Sequence, residues 1–211
     1  MGRCIIFCAG RLEGPVPELQ EDDLIIAADG GMAHMERLGL QPDVTLGDFD
    51  SLGYTPEGAE VFPVEKDDTD AMLAVRRGLS MGYTEFLLYG ALEGDRLDHT
   101  LANYQLLQFL KDRGANGYLV GKTLTVTVAS KERLRFTGAP EGLLSVFCMG
   151  AAADGITLTG LKYPLQNGSL TPGFPLGVGN RFLGCEATVE VKNGSLLVFY
   201  DRNNGFPLRE K

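Results

Sequence analysis

Residues 24–39 read LIIAADGGMAHMERLG, and this stretch decides the fold. The apolar run Leu24-Ile25-Ile26-Ala27-Ala28 reads as a buried strand, and Asp29 follows it directly. Gly30-Gly31 then lets the backbone approach a ligand closely and opens a helix whose N-terminal amides suit an anion. That helix is expected over 32–38 and is closed by Gly39. The same grammar extends to both sides. Cys4-Ile5-Ile6-Phe7-Cys8, Val44-Thr45-Leu46, Phe86-Leu87-Leu88-Tyr89 and 117–120 read as strands. Met72, Leu73, Val75 and Leu79 predict a helix over 70–81, with Gly82 placed to end it. A longer helix is expected over 98–113: Leu101, Tyr104, Leu107, Phe109 and Leu110 form its stripe, Asp98 or Thr100 can cap it, and Gly114 stops it. Strands alternating with helices predict a mostly parallel sheet covered by helices, whose ligands bind beyond the carboxyl ends of the strands.

Beyond about Lys122 the pattern changes. Strand-like runs at 123–128, 134–136, 143–147, 156–158, 187–191 and 196–200 have no convincing helix between them. Asn193-Gly194 between the last two is a hairpin signal, since both turn positions need positive φ. The expected organisation is an α/β N-terminal domain with a mostly parallel sheet over 1–125, then an all-β sandwich over 126–211.

Composition narrows the function. Of 211 residues, 44% are hydrophobic and 22% charged, the proportions of a globular chain large enough to fold without disulfide staples. No apolar run approaches the roughly 18 residues of a membrane span, and the apolar N-terminal stretch is too short for a secretory signal. Four cysteines without a close pair and two histidines leave little for a zinc site, and Cys4 and Cys8 read as small core residues. A soluble, cytoplasmic protein is expected. Between Asp43 and Asp70 nine acids stand against a single base, Lys66, so this segment holds nearly all of the net charge of −9. Such a balance argues against binding nucleic acid, which needs cationic surface.

The acids fall at strand ends. Asp29 closes one strand, Gly47-Asp48-Phe49-Asp50-Ser51 follows another, and Asp67-Asp68-Thr69-Asp70 starts a helix. Asp48 and Asp50, two apart in an extended segment, point to one side. In a parallel sheet all of these reach one edge, where carboxylates repel and raise each other's pKa unless a cation sits among them. Hard oxygen ligands carrying surplus negative charge indicate Mg²⁺ bridging carboxylates to phosphate. A second constellation, Gly90-Ala91-Leu92-Glu93-Gly94-Asp95-Arg96-Leu97-Asp98-His99, reaches the same edge and offers glycines, an arginine and a helix start as a phosphate cradle. His99 reads as a structural hydrogen-bonder rather than a base.

Taken together, Ala28-Asp29-Gly30-Gly31, Pro42-Asp43-Val44-Thr45-Leu46-Gly47-Asp48-Phe49-Asp50-Ser51, Asp67-Asp68-Thr69-Asp70 and Arg96-Leu97-Asp98-His99 resemble thiamine pyrophosphokinases in order and spacing. Gly160-Leu161-Lys162-Tyr163-Pro164-Leu165, Gly179-Asn180 and Gly194-Ser195-Leu196-Leu197-Val198 extend the resemblance to about residue 200. It implies a homodimer that transfers pyrophosphate from ATP to the hydroxyl of thiamine, releasing AMP, with thiamine held between subunits. It also implies Asp29, Asp48, Asp50 and Asp70 as Mg²⁺ ligands and catalytic residues. Arg96, Asp98 and Asn103 would lie on the ATP side, and Tyr163 and Asn180 on the thiamine side. Two positions depart from the family pattern: Asp95 stands in place of glycine in the phosphate-facing loop, and Gly179 replaces a common serine. A pyrophosphokinase acting on a hydroxymethyl-pterin, and a thiamine- or nucleotide-binding sensor without turnover, are the alternatives.

Overall fold

The computed structural model describes residues 2–211; Met1, the first residue of the expected N-terminal domain, lies outside them. The chain divides into two units, one ending at Lys122 and the other Thr123–Lys211.

In the first unit, β1 (Cys4–Phe7), β2 (Leu24–Ala28), β3 (Val44–Gly47), β4 (Glu60–Val61), β5 (Glu85–Tyr89) and β6 (Asn116–Val120) alternate with α1 (Gly31–Leu38), α2 (Asp70–Ser80) and α3 (Leu97–Lys111). The strands lie in the order β6-β5-β1-β2-β3-β4, and every pair is parallel. The chain therefore runs outward from β1 through β4, then returns to β5 on the other side of β1. That reversal is a topological switch point, where the loops leaving two adjacent strands part and open a crevice. Ile5, Phe7, Ala27, Leu87, Tyr89, Tyr118 and Val120 line one face of the sheet and pack with Met35 of α1. Cys4 and Cys8 are buried as expected, and burial pushes both thiols up to about 12.

Helix ends follow local chemistry. Gly39 takes the left-handed conformation (φ 67°) that closes α1, and the Thr69 hydroxyl caps α2 by accepting from the amide of Met72. Two expectations for α3 need correction. Its N-cap position is Arg96 and no side chain caps it, because the Asp98 carboxylate is taken up by Arg96. Its buried face is Asn103, Leu106, Leu107 and Leu110, whereas Leu101 is 62% exposed. The stripe is rotated because Asn103 turns inward to hold the loop after β5.

The second unit consists of strands and one 3₁₀ turn, Arg202–Asn204. Its long members are β7 (Leu124–Phe136), β8 (Leu143–Thr159) and β11 (Ala187–Asp201), antiparallel in the order β8-β11-β7. The short β9 (Leu165–Leu170) and β10 (Asn180–Arg181) pair with β8, and β12 (Leu208–Glu210) pairs with β7. The runs expected as separate strands are thus halves of continuous ones, and Asn193-Gly194 is not a hairpin turn. Only Gly194 has positive φ (79°), whereas the tight turn needs it at both positions. Asn193 stays paired with Asp154, and the β11 register slips between Val191 and Ser195. With a partner on each side, β11 runs on through a bulge that bends it. Lys131 (φ 51°) in β7 and Gly155 (φ 67°) in β8 supply matching irregularities. The halves of this bent sheet enclose one core, in which Phe136 meets Phe182 and Tyr200 at ring-centroid distances of 5.1 and 5.0 Å.

Candidate active site

The crevice at the switch point is a groove of about 670 Å³ beyond the carboxyl ends of β1, β2, β3 and β5. Its two sides are tied at the base, where the amide of Gly10 donates to the carbonyl of Gly90 at 2.9 Å. Seven acids line it (Asp29, Asp48, Asp50, Asp68, Asp70, Glu93, Asp95) against two side chains of fixed positive charge, Lys66 and Arg96. A polyphosphate entering such a lining needs additional cations to settle there.

Backbone geometry gathers the central acids. The amide of Asp29 donates to the carbonyl of Leu46 at 2.8 Å, which pins the end of β2 against β3. A Cβ on Gly47 would sit 3.0 Å from Asp29 Cα, so the close approach of these two strand ends depends on glycine there. Phe49 is buried, and the acids on either side of it face the groove. Asp29 and Phe49 both hold positive φ (48° and 59°), a conformation that costs on the order of 1–3 kcal/mol each. The result is that one oxygen from each of Asp29, Asp48 and Asp50 lies within 4.8 Å of the others. Ser51 Oγ donates to Asp29 Oδ2 at 2.6 Å, but Asp29 Oδ1 is buried with no hydrogen-bond partner. A buried anionic oxygen without a donor, inside a three-carboxylate cradle, is the donor set a hard divalent cation requires.

Asp70 enters the groove but stands outside that trio, facing Lys66, a residue that the sequence reading passed over. Lys66 Nζ donates to Asp48 Oδ2 at 2.5 Å and lies 3.1 Å from Asp70 Oδ1. The Lys66 hydrogen bond outweighs burial and holds the Asp48 carboxyl below its usual range. Asp70 goes the other way: burial, together with the nearby Asp48 and Asp29, outweighs Lys66 and raises its pKa. Burial pulls the Lys66 ammonium down, but its bonds to Asp48 and Asp70 more than compensate and its pKa rises. One signal did mark this residue, as the lone base in an acidic segment four positions before Asp70.

The second constellation borders the same groove. Arg96 and His99 line it, and both are exposed. Asp98 forms a two-pronged pair with Arg96 (2.9 and 2.6 Å), and the guanidinium holds this carboxyl down to about 2. Asn103 is buried and donates to the carbonyl of Ala91 at 2.7 Å, fixing the loop that carries Gly90. Asp95 is 85% exposed and pairs with Arg11, so its charge is matched 84 residues away in sequence.

Tyr163 and Asn180 belong to the second unit. Tyr163 is 59% exposed, with Lys162 Nζ 5.4 Å from its ring centroid. Asn180 is buried: its Oδ1 accepts from the amides of Tyr163 and Arg181, and its Nδ2 donates to the Tyr163 carbonyl. Its amide group therefore clamps the backbone that presents Tyr163. Gly179 (φ 78°) donates its amide to Ser145 Oγ at 3.0 Å, so a hydroxyl stands beside this position although the side chain there has none.

Known proteins resemble the chain along most of its length. A thiamine pyrophosphokinase of Bacillus subtilis is 26% identical over 216 residues, which is 93% of this chain and 97% of the relative. The crystal structure of the B. subtilis thiamine pyrophosphokinase superposes with a TM-score of 0.81 at 25% identity, covering 94% of this chain and 98% of that one. A thiamin pyrophosphokinase structure from Geobacillus thermodenitrificans gives 0.78 at 26%, covering 95% and 97%. The yeast enzyme, at 15% identity, shares the fold with a TM-score of 0.74. Two family models match in succession: the thiamin pyrophosphokinase catalytic domain over residues 17–119, and its vitamin B1 binding domain over 126–196. The seven acids of the groove lie within the stretch that the first model matches, Tyr163 and Asn180 within the second, and the chain belongs to the thiamin pyrophosphokinase family.

Proposed function

We propose that this protein transfers the pyrophosphoryl group of ATP to the hydroxyl of thiamine, giving thiamine diphosphate and AMP, and that it depends on Mg²⁺. The observation that carries the metal dependence is the Asp29–Asp48–Asp50 cradle with its unpartnered Asp29 oxygen. Asp29, Asp48 and Asp50 would hold the ion, with Asp70 beside them. When bound, Mg²⁺ neutralises polyphosphate charge and makes the β-phosphorus more open to attack. The chain's own groups do the rest. Arg96, oriented by Asp98, supplies a planar donor for phosphate oxygens at the groove's rim. Asn103 fixes the Gly90–Ala91 backbone against which the polyphosphate lies. Asp70, whose pKa burial raises, takes the proton from the attacking hydroxyl. Pyrophosphoryl transfer relies mainly on such positioning and charge neutralisation, so no strong base is needed.

In the second unit the exposed ring of Tyr163 offers a face for the thiamine heterocycle, and Asn180 positions it. The family reading extends to a homodimer with thiamine between subunits, and the composition to a cytoplasmic location. Among the described residues, no helix is long and apolar enough to cross a membrane. The net charge of −9 argues against nucleic acid as a partner. One assay decides the reaction. The protein is incubated with ATP, Mg²⁺ and either thiamine or a hydroxymethyl-dihydropterin, and AMP and the diphosphorylated alcohol are quantified. Product from thiamine supports the proposal. Product from the pterin alone would replace it, and absence of AMP with both would reduce the protein to a binder.

A further inference from the structure

Lys66 occupies the position to which a cation in this groove is drawn. Its Nζ donates to Asp48 Oδ2 at 2.5 Å and to the carbonyl of Pro63 at 3.2 Å, and stands 3.1 Å from Asp70 Oδ1. Two of the ammonium's three N–H donors are taken by Asp48 and Pro63, and its charge stands at ion-pair distance from Asp70. The side chains of Lys66 and Asp48 are only 13% and 10% exposed, so solvent screens the pair weakly. Asp48 also belongs to the three-carboxylate cradle. A divalent ion settling there would share Asp48 with an ammonium already bonded to it, and two cations at such a separation repel strongly.

We propose that Lys66 is an internal counter-ion that holds Asp48 and Asp70 in the nucleotide-free protein and releases Asp48 only when a polyphosphate offers it other oxygens. This rests on the reading of Asp29, Asp48 and Asp50 as the cation site. The chain then takes up a divalent ion together with its polyphosphate and binds the ion poorly alone. Lys66 is in this sense a positioning residue: it sets the order in which charges enter the groove.

Mn²⁺ is the probe, titrated into the whole chain without nucleotide and followed by electron paramagnetic resonance. Lys66→Met is expected to bind Mn²⁺ at least about tenfold more tightly than wild type, because a positive charge beside the site is gone. Lys66→Arg, which keeps the charge, is expected to stay near wild type. Should Lys66→Met not fold, Lys66→Gln asks the same question. With ATP present the gap is expected to close, since the wild-type ammonium then has phosphate oxygens to meet. Equal or weaker Mn²⁺ affinity in the neutral variant, or a gap unchanged by ATP, overturns the proposal. Asp29→Asn in the Lys66→Met background separates this outcome from the reading beneath it. If that change leaves Mn²⁺ binding intact, the cradle is not the cation site and the underlying reading fails. If it removes binding although Lys66→Met had raised nothing, only the counter-ion role fails.

Discussion

The acidic groove of the first unit and the bent sheet of the second treat charge in opposite ways. On the bent sheet acids face bases across strands: Arg133 with Glu190, Arg135 with Glu210, and Arg209 with the buried Glu132, at 2.8, 2.6 and 2.7 Å. In the groove, Asp29 and Asp50 have no basic partner among the described residues, and positive-φ backbone at Asp29 and Phe49 holds the acids together. Matched charge makes a region self-sufficient. Mismatched charge, gathered at a cost in strain, makes a region complete only with a ligand. The contrast predicts that substitutions in the bent sheet are read mainly in stability, and those in the groove mainly in turnover.

The largest effect tests the sheet side. Phe136→Ala removes a ring from the shared core and is expected to cost about 3–5 kcal/mol in urea unfolding. A loss below about 1 kcal/mol would mean that the two halves of the sheet do not depend on one core. On the groove side, Asp48→Asn or Asp50→Asn should lower turnover at least about a hundredfold; the urea midpoint should stay close to wild type for Asp50→Asn and fall for Asp48→Asn, which strips Lys66 of a partner. Near-wild-type turnover in both would remove these acids from the chemistry.

Asp70 sharpens the comparison because it burdens the fold. Its raised pKa means that the folded state binds its proton more tightly than the unfolded state. Above that pKa the ionised carboxylate therefore lowers stability, and the loss is recovered as pH falls through it. Asp70→Asn is expected to raise the thermal midpoint of the metal-free protein at neutral pH by about 1–3 °C while slowing turnover. The difference in midpoint should shrink toward acid pH, and a difference that grows there would reverse the assignment. The smallest effect belongs to Asp95. Its exposed pair with Arg11 resembles the surface pairs of the second unit, so Asp95→Ala should shift the midpoint by less than about 2 °C.

Much of the first unit was legible because its signals are local. Leu24–Ala28 is a strand with the bounds its apolar run suggests, and Gly39 and Gly114 end helices or their extensions with positive φ. The acids at strand ends could be placed at one edge as soon as the sheet was read as parallel. The second unit was read less well, since a bulge and a turn use the same residues. Asn193-Gly194 favours a tight turn until a neighbouring strand on each side keeps β11 going through it. The family resemblance alone puts Asn180 on the thiamine side, and no local signal shows that its amide clamps the backbone of Tyr163, seventeen residues away.

Spacing and composition were enough to place the main strands and helices of the first unit, the carboxylates at its sheet edge and the family that the motifs resemble. These depend on spacings of two to four residues and on what glycine permits. Tertiary structure alone decided that Lys66 divides Asp48 from Asp70, that Arg11 meets Asp95, and that three strands bend instead of turning back. Those outcomes depend on distances between segments far apart in the chain. A charge finds its partner, or goes without one, only after the sheet has fixed which of them are neighbours.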